Sequence, residues 1–227
     1  MMSSNLVLSS LSWSDGGGID WFATHDRQGD GPVLIEWNAK RSGAPGNLSD
    51  HPSIDAVDQW AQKGGAAGIQ PYAIHLPLYL SHDADQAGAE ISAAGGWTDL
   101  ASYINAPLIR LDFTQDCEFH SQEAQQALRS ILHYMADMER LASVHFTPSL
   151  LGVWPQIVDG LDAETLGHFG EHIIAEGDSA SSKKSGLPLL SVEVSIAEMD
   201  ETSAALLQQY KEKPPENAPY IIASIGA

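Results

Sequence analysis

Short apolar runs alternate with amphipathic stretches along most of the chain, which predicts strands separated by helices. The strand-like runs are NLVLSSLSWS from Asn5, PVLIEW from Pro32, IQPYAIHLPLYL from Ile69, PLIRLDF from Pro107, SVHFT from Ser143, LPLLSVEVSI from Leu187 and YIIASIG from Tyr220. Pro71 and Pro77 interrupt the third, so its regular part is expected over Tyr72–Leu76. Between the runs, a short helix is expected through Ile19–His25. A second begins after the cap Ser53, carries Ile54, Val57, Trp60 and Ala61 on one face, and stops at Gly64-Gly65. A third holds Ala87, Ile91, Leu100 and Ile104, with a break at Gly95-Gly96. The clearest helix spans Ser121–Leu141, where Leu128, Ile131, Leu132, Met135, Met138 and Leu141 share a face and His133 falls off it, toward solvent. Ala163–Ala175 and Glu198–Lys213 also read as helical, whereas Leu150–Gly160 is apolar without a period.

This order predicts a single α/β domain over residues 1–227, a TIM-barrel-like parallel (β/α) barrel. Seven strand runs stand where a closed barrel needs about eight, so the barrel is expected to be incomplete or irregular in its second half, around 148–186.

Composition narrows the function classes. The chain has 227 residues, 43% of them hydrophobic, enough for a sizeable core. Its formal net charge of -19 repels phosphate backbones and anionic lipid, so neither a nucleic acid nor a membrane is expected as partner. The single cysteine, Cys117, excludes an intrachain disulfide and has no neighbouring base in sequence to make it a catalytic thiolate. With no apolar run of membrane-spanning length and no visible signal segment, the chain reads as soluble and cytoplasmic.

Against that background, ionisable residues inside five apolar runs stand out: Glu36, His75, Arg110 with Asp112, His145 and Glu193. An unpaired ionised group in an apolar interior costs several kcal/mol, so such residues need partners or a shared polar centre. Glu36 reads either as an ion pair with Arg41 or Arg110, or as a metal ligand or proton-transfer base. His75 is a hydrogen-bonded core residue, a substrate hydroxyl contact or a metal ligand. Arg110 and Asp112 share one strand face, where they either neutralise each other or hold the anionic end and a hydroxyl of a substrate. Asp116, Glu118 and His120 alternate after that strand, as a metal cluster or as a solvated segment preceding a helix.

The segments LSSLSWS, VLIEWNAKRSG, GIQPYAIHLPLYL and INAPLIRLDF occur in an order and at separations that resemble the xylose-isomerase-like sugar-phosphate isomerase/epimerase superfamily. The resemblance covers residues 5–147 and 187–213. It implies chemistry on a small polyhydroxylated substrate, with a divalent metal (manganese, magnesium or zinc) at the carboxyl ends of the strands. Glu36 matches the second-strand glutamate, His75 the third-strand histidine and Glu193 the last-strand glutamate. At the fifth strand, His145 stands where the family has a ligand glutamate, and no sixth-strand aspartate or seventh-strand histidine segment is recognisable. His168, His172 and Asp178 lie nearby, in helical or loop context.

Two functions are therefore weighed. In the first, an isomerase or epimerase transfers a proton beside a carbonyl, with Glu36 and Glu193 as base and acid. His75, Arg110 and Asp112 bind substrate, and His145 and Glu193 hold a metal, or no metal is used. In the second, a barrel relative without its metal centre serves as a binding or scaffolding protein. A homo-oligomer is open under both.

Overall fold

The computed structural model describes residues 5–10, 33–41, 48, 51–66, 68–176, 179–180, 185–196, 205, 209, 212–213 and 219–225. The helix expected at Ile19–His25, and most of the one expected at Glu198–Lys213, lie outside the described residues. The strands are β1 (Asn5–Ser10), β2 (Val33–Asn38), β3 (Ile69–Leu78), β4 (Leu108–Phe113), β5 (Leu141–His145), β6 (Phe169–Glu176), β7 (Ser179–Ala180), β8 (Leu189–Ile196) and β9 (Tyr220–Ile225). The helices are α1 (Ile54–Ala66), α2 (Ala84–Tyr103), α3 (Gln122–Asp137), α4 (Pro148–Val158) and α5 (Ala163–Leu166).

Parallel pairings run β1–β2–β3–β4–β5–β6–β8–β9 and return from β9 to β1, so eight strands close into a ring. The two-residue β7 is an antiparallel appendage of β6. The barrel class expected from the sequence is the class observed, and the expected gap in its second half is filled. The strand that completes the ring is β6, inside the stretch that reads as a helix because Leu166, Phe169 and Ile173 fall at helical spacing. Its polar residues Glu171 and His172 are buried, which an isolated periodicity does not anticipate. Leu150–Gly160 is likewise regular: Thr147 caps α4 by accepting from Leu150 N, and Pro148 occupies its first turn.

Several boundaries move for tertiary reasons. Strand β3 runs through both prolines. Pro71 lies beside the register shift that pairs Ile35 with Pro71 and Glu36 with Ala73, leaving Tyr72 extra. Pro77 lies past the end of β2, and its carbonyl accepts from Arg41 Nε at 2.7 Å, so its missing N–H costs no ladder bond. The glycine pairs 64–65 and 95–96 are inside α1 and α2, where buried Ala94, Trp97 and Ala101 outweigh a propensity cost of about 1 kcal/mol per glycine. Helix α3 ends at Asp137, and Leu141 already belongs to β5. His133 is half-buried, 2.8 Å from Thr165 Oγ1, rather than solvent-facing.

Among the described residues two apolar bodies stand out. The larger lies between the barrel and its helices and includes Ile74, Leu76, Ile109, Leu111, Leu128, Leu132, Val144 and Trp154. The smaller, Val7, Ala73, Leu108 and Ile222 with Leu34, Tyr72, Leu141 and Tyr220 against them, gathers residues of six barrel strands as an interior floor.

Candidate active site

Alternate residues of each strand face the barrel interior, so the position two residues beyond each floor residue lies one layer nearer the carboxyl end. That layer is polar. Ser9, Glu36, Arg110, Ser143 and Ser191 are each at most 4% exposed. Arg110 grips Glu36 with both arms of a fork, Nε donating to Oε2 and Nη2 to Oε1, each at 2.9 Å. Ser9 donates to Glu36 Oε1 at 2.6 Å, and Asn38 Nδ2 donates to Ser9 Oγ at 3.2 Å. The remaining nitrogen, Arg110 Nη1, donates to Asp112 Oδ2 at 2.9 Å and to Glu193 Oε2 at 2.8 Å.

Histidines complete the site: His75 is level with Arg110, and His145 and His172 pair beyond Ser143 and Gly170. His75 has Nδ1 2.9 Å from Asn38 Oδ1 and Nε2 2.8 Å from Asp112 Oδ2. The Asn38 amide is oriented by its bond to Ser9, so both His75 nitrogens face oxygen atoms of neighbouring side chains. His145 ends β5 with Nδ1 3.2 Å from Asp112 Oδ1, off the line of a hydrogen bond, and that buried oxygen has no hydrogen-bond partner. His172, from the unanticipated strand β6, sits between Ser191 Oγ at 2.7 Å and Glu193 Oε2 at 3.4 Å. Ser143 and Ser191 share a hydrogen bond of 2.6 Å, and Ser224 donates to Glu193 Oε1 at 2.5 Å.

Burial and charge act against each other at every carboxylate here. Burial alone raises the Glu36 pKa, yet Arg110, His75 and Ser9 together hold it below the ordinary value. At Asp112 burial is likewise overcome, by the imidazoles of His145 and His75 and by Arg110, and the carboxyl lies well below the usual range. Glu193 is brought down to about 2 against its burial by His172, Arg110 and Ser224. Arg110 loses hydration, but Glu36, Asp112 and Glu193 push its pKa up, so it is permanently charged. Burial pushes His172 down, Glu193 only partly opposing, and the ring is neutral near pH 7.

All six sequence-nominated strand residues therefore meet in one network: Glu36, His75, Arg110, Asp112, His145 and Glu193. Glu36 occupies the ion-pair alternative, with Arg110 rather than Arg41, whose partner is the buried Glu90 on α2. Arg110 and Asp112 touch, as in the neutralising alternative. Glu193 is on the seventh barrel strand, not the last; Ser224 stands on the last and His172 on the sixth. Asp116, Glu118 and His120 do not gather. Glu118 accepts from Ser81 Oγ, His82 N and His82 Nδ1, tying β3 to β4 ahead of α2, while Asp116 and His120 are exposed. Asp178 lies outside the described residues.

The residues present do not fit a divalent metal. Among the described residues no group of three His, Cys, Asp or Glu side chains is arranged to hold one. A guanidinium already fills the space between the carboxylates. Sequence reasoning missed Asn38, Ser9, Ser191 and Ser224, and named His172 only in a helical or loop context, whereas it stands on β6. The small hydroxyl residues near strand ends were the available signal for the serines, and the missing eighth strand for His172.

No family model matches the chain, and no curated protein matches it in sequence. Solved structures do share its architecture. A D-tagatose 3-epimerase-like protein is similar at 11% identity over 97% of this chain and 90% of that chain, with a TM-score of 0.66. D-allulose 3-epimerase from Methylomonas sp. is similar at 13% identity, 98% and 85% coverage and a TM-score of 0.59. A sugar phosphate isomerase/epimerase from Parabacteroides distasonis gives 8% identity, 99% and 89% coverage and a TM-score of 0.56. The chain thus shares its (β/α) barrel fold with these three structures. The resemblance expected from its sequence holds at the level of the fold.

Proposed function

We propose that the barrel mouth takes a small polyhydroxylated carbonyl compound and moves a proton between its carbons, as a sugar or sugar-phosphate isomerase or epimerase. The observation that carries this reading is the convergence of acids, imidazoles and Arg110 at the carboxyl ends of the strands, where (β/α) barrels keep their active sites. The fold's likeness to a D-tagatose 3-epimerase-like protein and a D-allulose 3-epimerase supports the same substrate class.

In this reading His145 carries the proton. It is the most exposed of the ionised or ionisable side chains in the network, at 35%, and Asp112 beside Nδ1 leaves Nε2 for the substrate. The base takes the proton beside the carbonyl and returns it from the same face to the neighbouring carbon, which isomerises as the hydroxyl proton passes to the former carbonyl oxygen. Epimerisation would need a second proton donor on the opposite face. His75, with both ring nitrogens engaged by Asn38 and Asp112, positions that aspartate beside His145. Glu36, fully enclosed with both oxygens held by Arg110, positions the arginine instead of touching substrate.

One observation favours the second reading, a non-catalytic binding barrel: the three carboxylates are all engaged by Arg110. Incubation with D-fructose, D-tagatose and D-fructose 6-phosphate in D2O separates the two. Deuterium should enter beside the carbonyl of at least one sugar, and His145→Asn should slow this by roughly 100-fold or more. Absence of exchange across the panel would favour the binding barrel.

A further inference from the structure

We infer that the Arg110 guanidinium is the resident cation of this barrel, holding by itself the carboxylates that would otherwise gather a divalent metal, so that the site assembles without one. The inference stands whether or not the mouth is catalytic. Three elements bring their acids to this one side chain: Glu36 from β2, Asp112 from β4 and Glu193 from β8. Nη1 lies 2.9 Å from Asp112 Oδ2 and 2.8 Å from Glu193 Oε2, so it marks the point on which two carboxylate oxygens from different strands converge. A metal at that point would need only a modest contraction, to roughly 2.0–2.2 Å. With the arginine present there is no room for it, and a second cation alongside would meet its repulsion.

The oxygens are committed as well. Both oxygens of Glu36, Oδ2 of Asp112 and both of Glu193 accept hydrogen bonds from Arg110, Ser9, His75 or Ser224. The sixth oxygen, Asp112 Oδ1, faces His145 at 3.2 Å. A fixed cation also has a consequence a metal lacks: it cannot be removed by a chelator or exchanged.

The test uses the purified full chain after treatment with EDTA, titrated with MnCl2 by electron paramagnetic resonance and melted with and without added Mn2+. Wild type should bind no Mn2+ at this site and keep its melting temperature. Arg110→Gln, which leaves the acids facing each other, should gain Mn2+ affinity by about tenfold or more and recover part of its lost melting temperature when Mn2+ is added. Stoichiometric binding by wild type that Glu193→Gln or Asp112→Asn weakens about tenfold would overturn the proposal. So would an Arg110→Gln protein that folds but binds Mn2+ no better than wild type. Wild-type binding that neither acid substitution changes lies elsewhere and agrees with it. If Arg110→Gln does not fold, the wild-type titration with the two acid variants decides alone.

Discussion

Arg110 shows how a charged residue in an apolar run is singled out by sequence while the fold alone decides which groups it meets. From sequence its guanidinium suits a neighbouring acid or a substrate anion. In the barrel it donates to three carboxylates at once and is 4% exposed, so the network uses it up. Desolvating such charges is tolerable only while every partner stays, which makes the pair fragile to single changes. Glu36→Gln should therefore destabilise the fold by about 3–5 kcal/mol. In a chain of this length that lowers the melting temperature by roughly 6–20 °C. A shift below about 2 °C in a melting experiment would mean the fork contributes little. His145→Asn, at the exposed rim, should leave the melt nearly unchanged while slowing proton exchange by roughly 100-fold or more. Loss of both together would make His145 a structural residue.

Among elements, β6 carries the largest difference between sequence and structure. The apolar runs of β2, β4, β5, β8 and β9 announce themselves because a buried parallel strand is nearly all apolar. FGEHIIAE does not, since its Glu171 and His172 are polar yet buried, satisfied by Ser185 on one side and by Ser191 and Glu193 on the other. Those partners lie 14 or more residues away, beyond any local pattern. Gly170 has a similar hidden reason. A Cβ there would come within 2.3 Å of the Pro188 carbonyl oxygen and 2.7 Å of Leu190 Cγ, so the close β6–β8 approach needs a residue without one. Gly170→Ala should cost about 1–3 kcal/mol through overpacking and shift His172 away from Glu193. Thermal melting reads the first, and the chemical shift of the His172 ring reads the second. An unchanged melt would show that the strands yield without strain.

At the scale of the whole molecule, the site and the stability of the fold share their titrating groups. The carboxylates of Glu36, Asp112 and Glu193 all have native pKa values below their ordinary ones, Glu193 at about 2 against a reference of 4.5. The unfolded chain therefore takes up protons first as pH falls. The stabilisation is full above about pH 4.5 and is lost progressively toward about pH 2, with Glu193 alone worth on the order of 3 kcal/mol. His172 acts in the same direction from a higher pH. Its native pKa lies below 6.5, so protonation below that value favours the unfolded chain. The melting temperature should accordingly decline from about pH 6.5 downward and fall more steeply below about pH 4.5. A flat profile between pH 7 and pH 3 would contradict the burial and pairing of these groups.

The amino-acid sequence by itself determined most strands, the barrel class and the six ionisable residues that end up together, because apolar runs and the residues that interrupt them are local properties. It could not determine that the ring closes through β6, that Pro71 and Pro77 fit within β3, or that Arg110 meets three acids at once. Those outcomes depend on which strands become neighbours. Only the closed barrel brings β2, β4 and β8 within hydrogen-bond distance of one side chain, and hydrogen bonds act over about 3 Å whatever the separation along the chain.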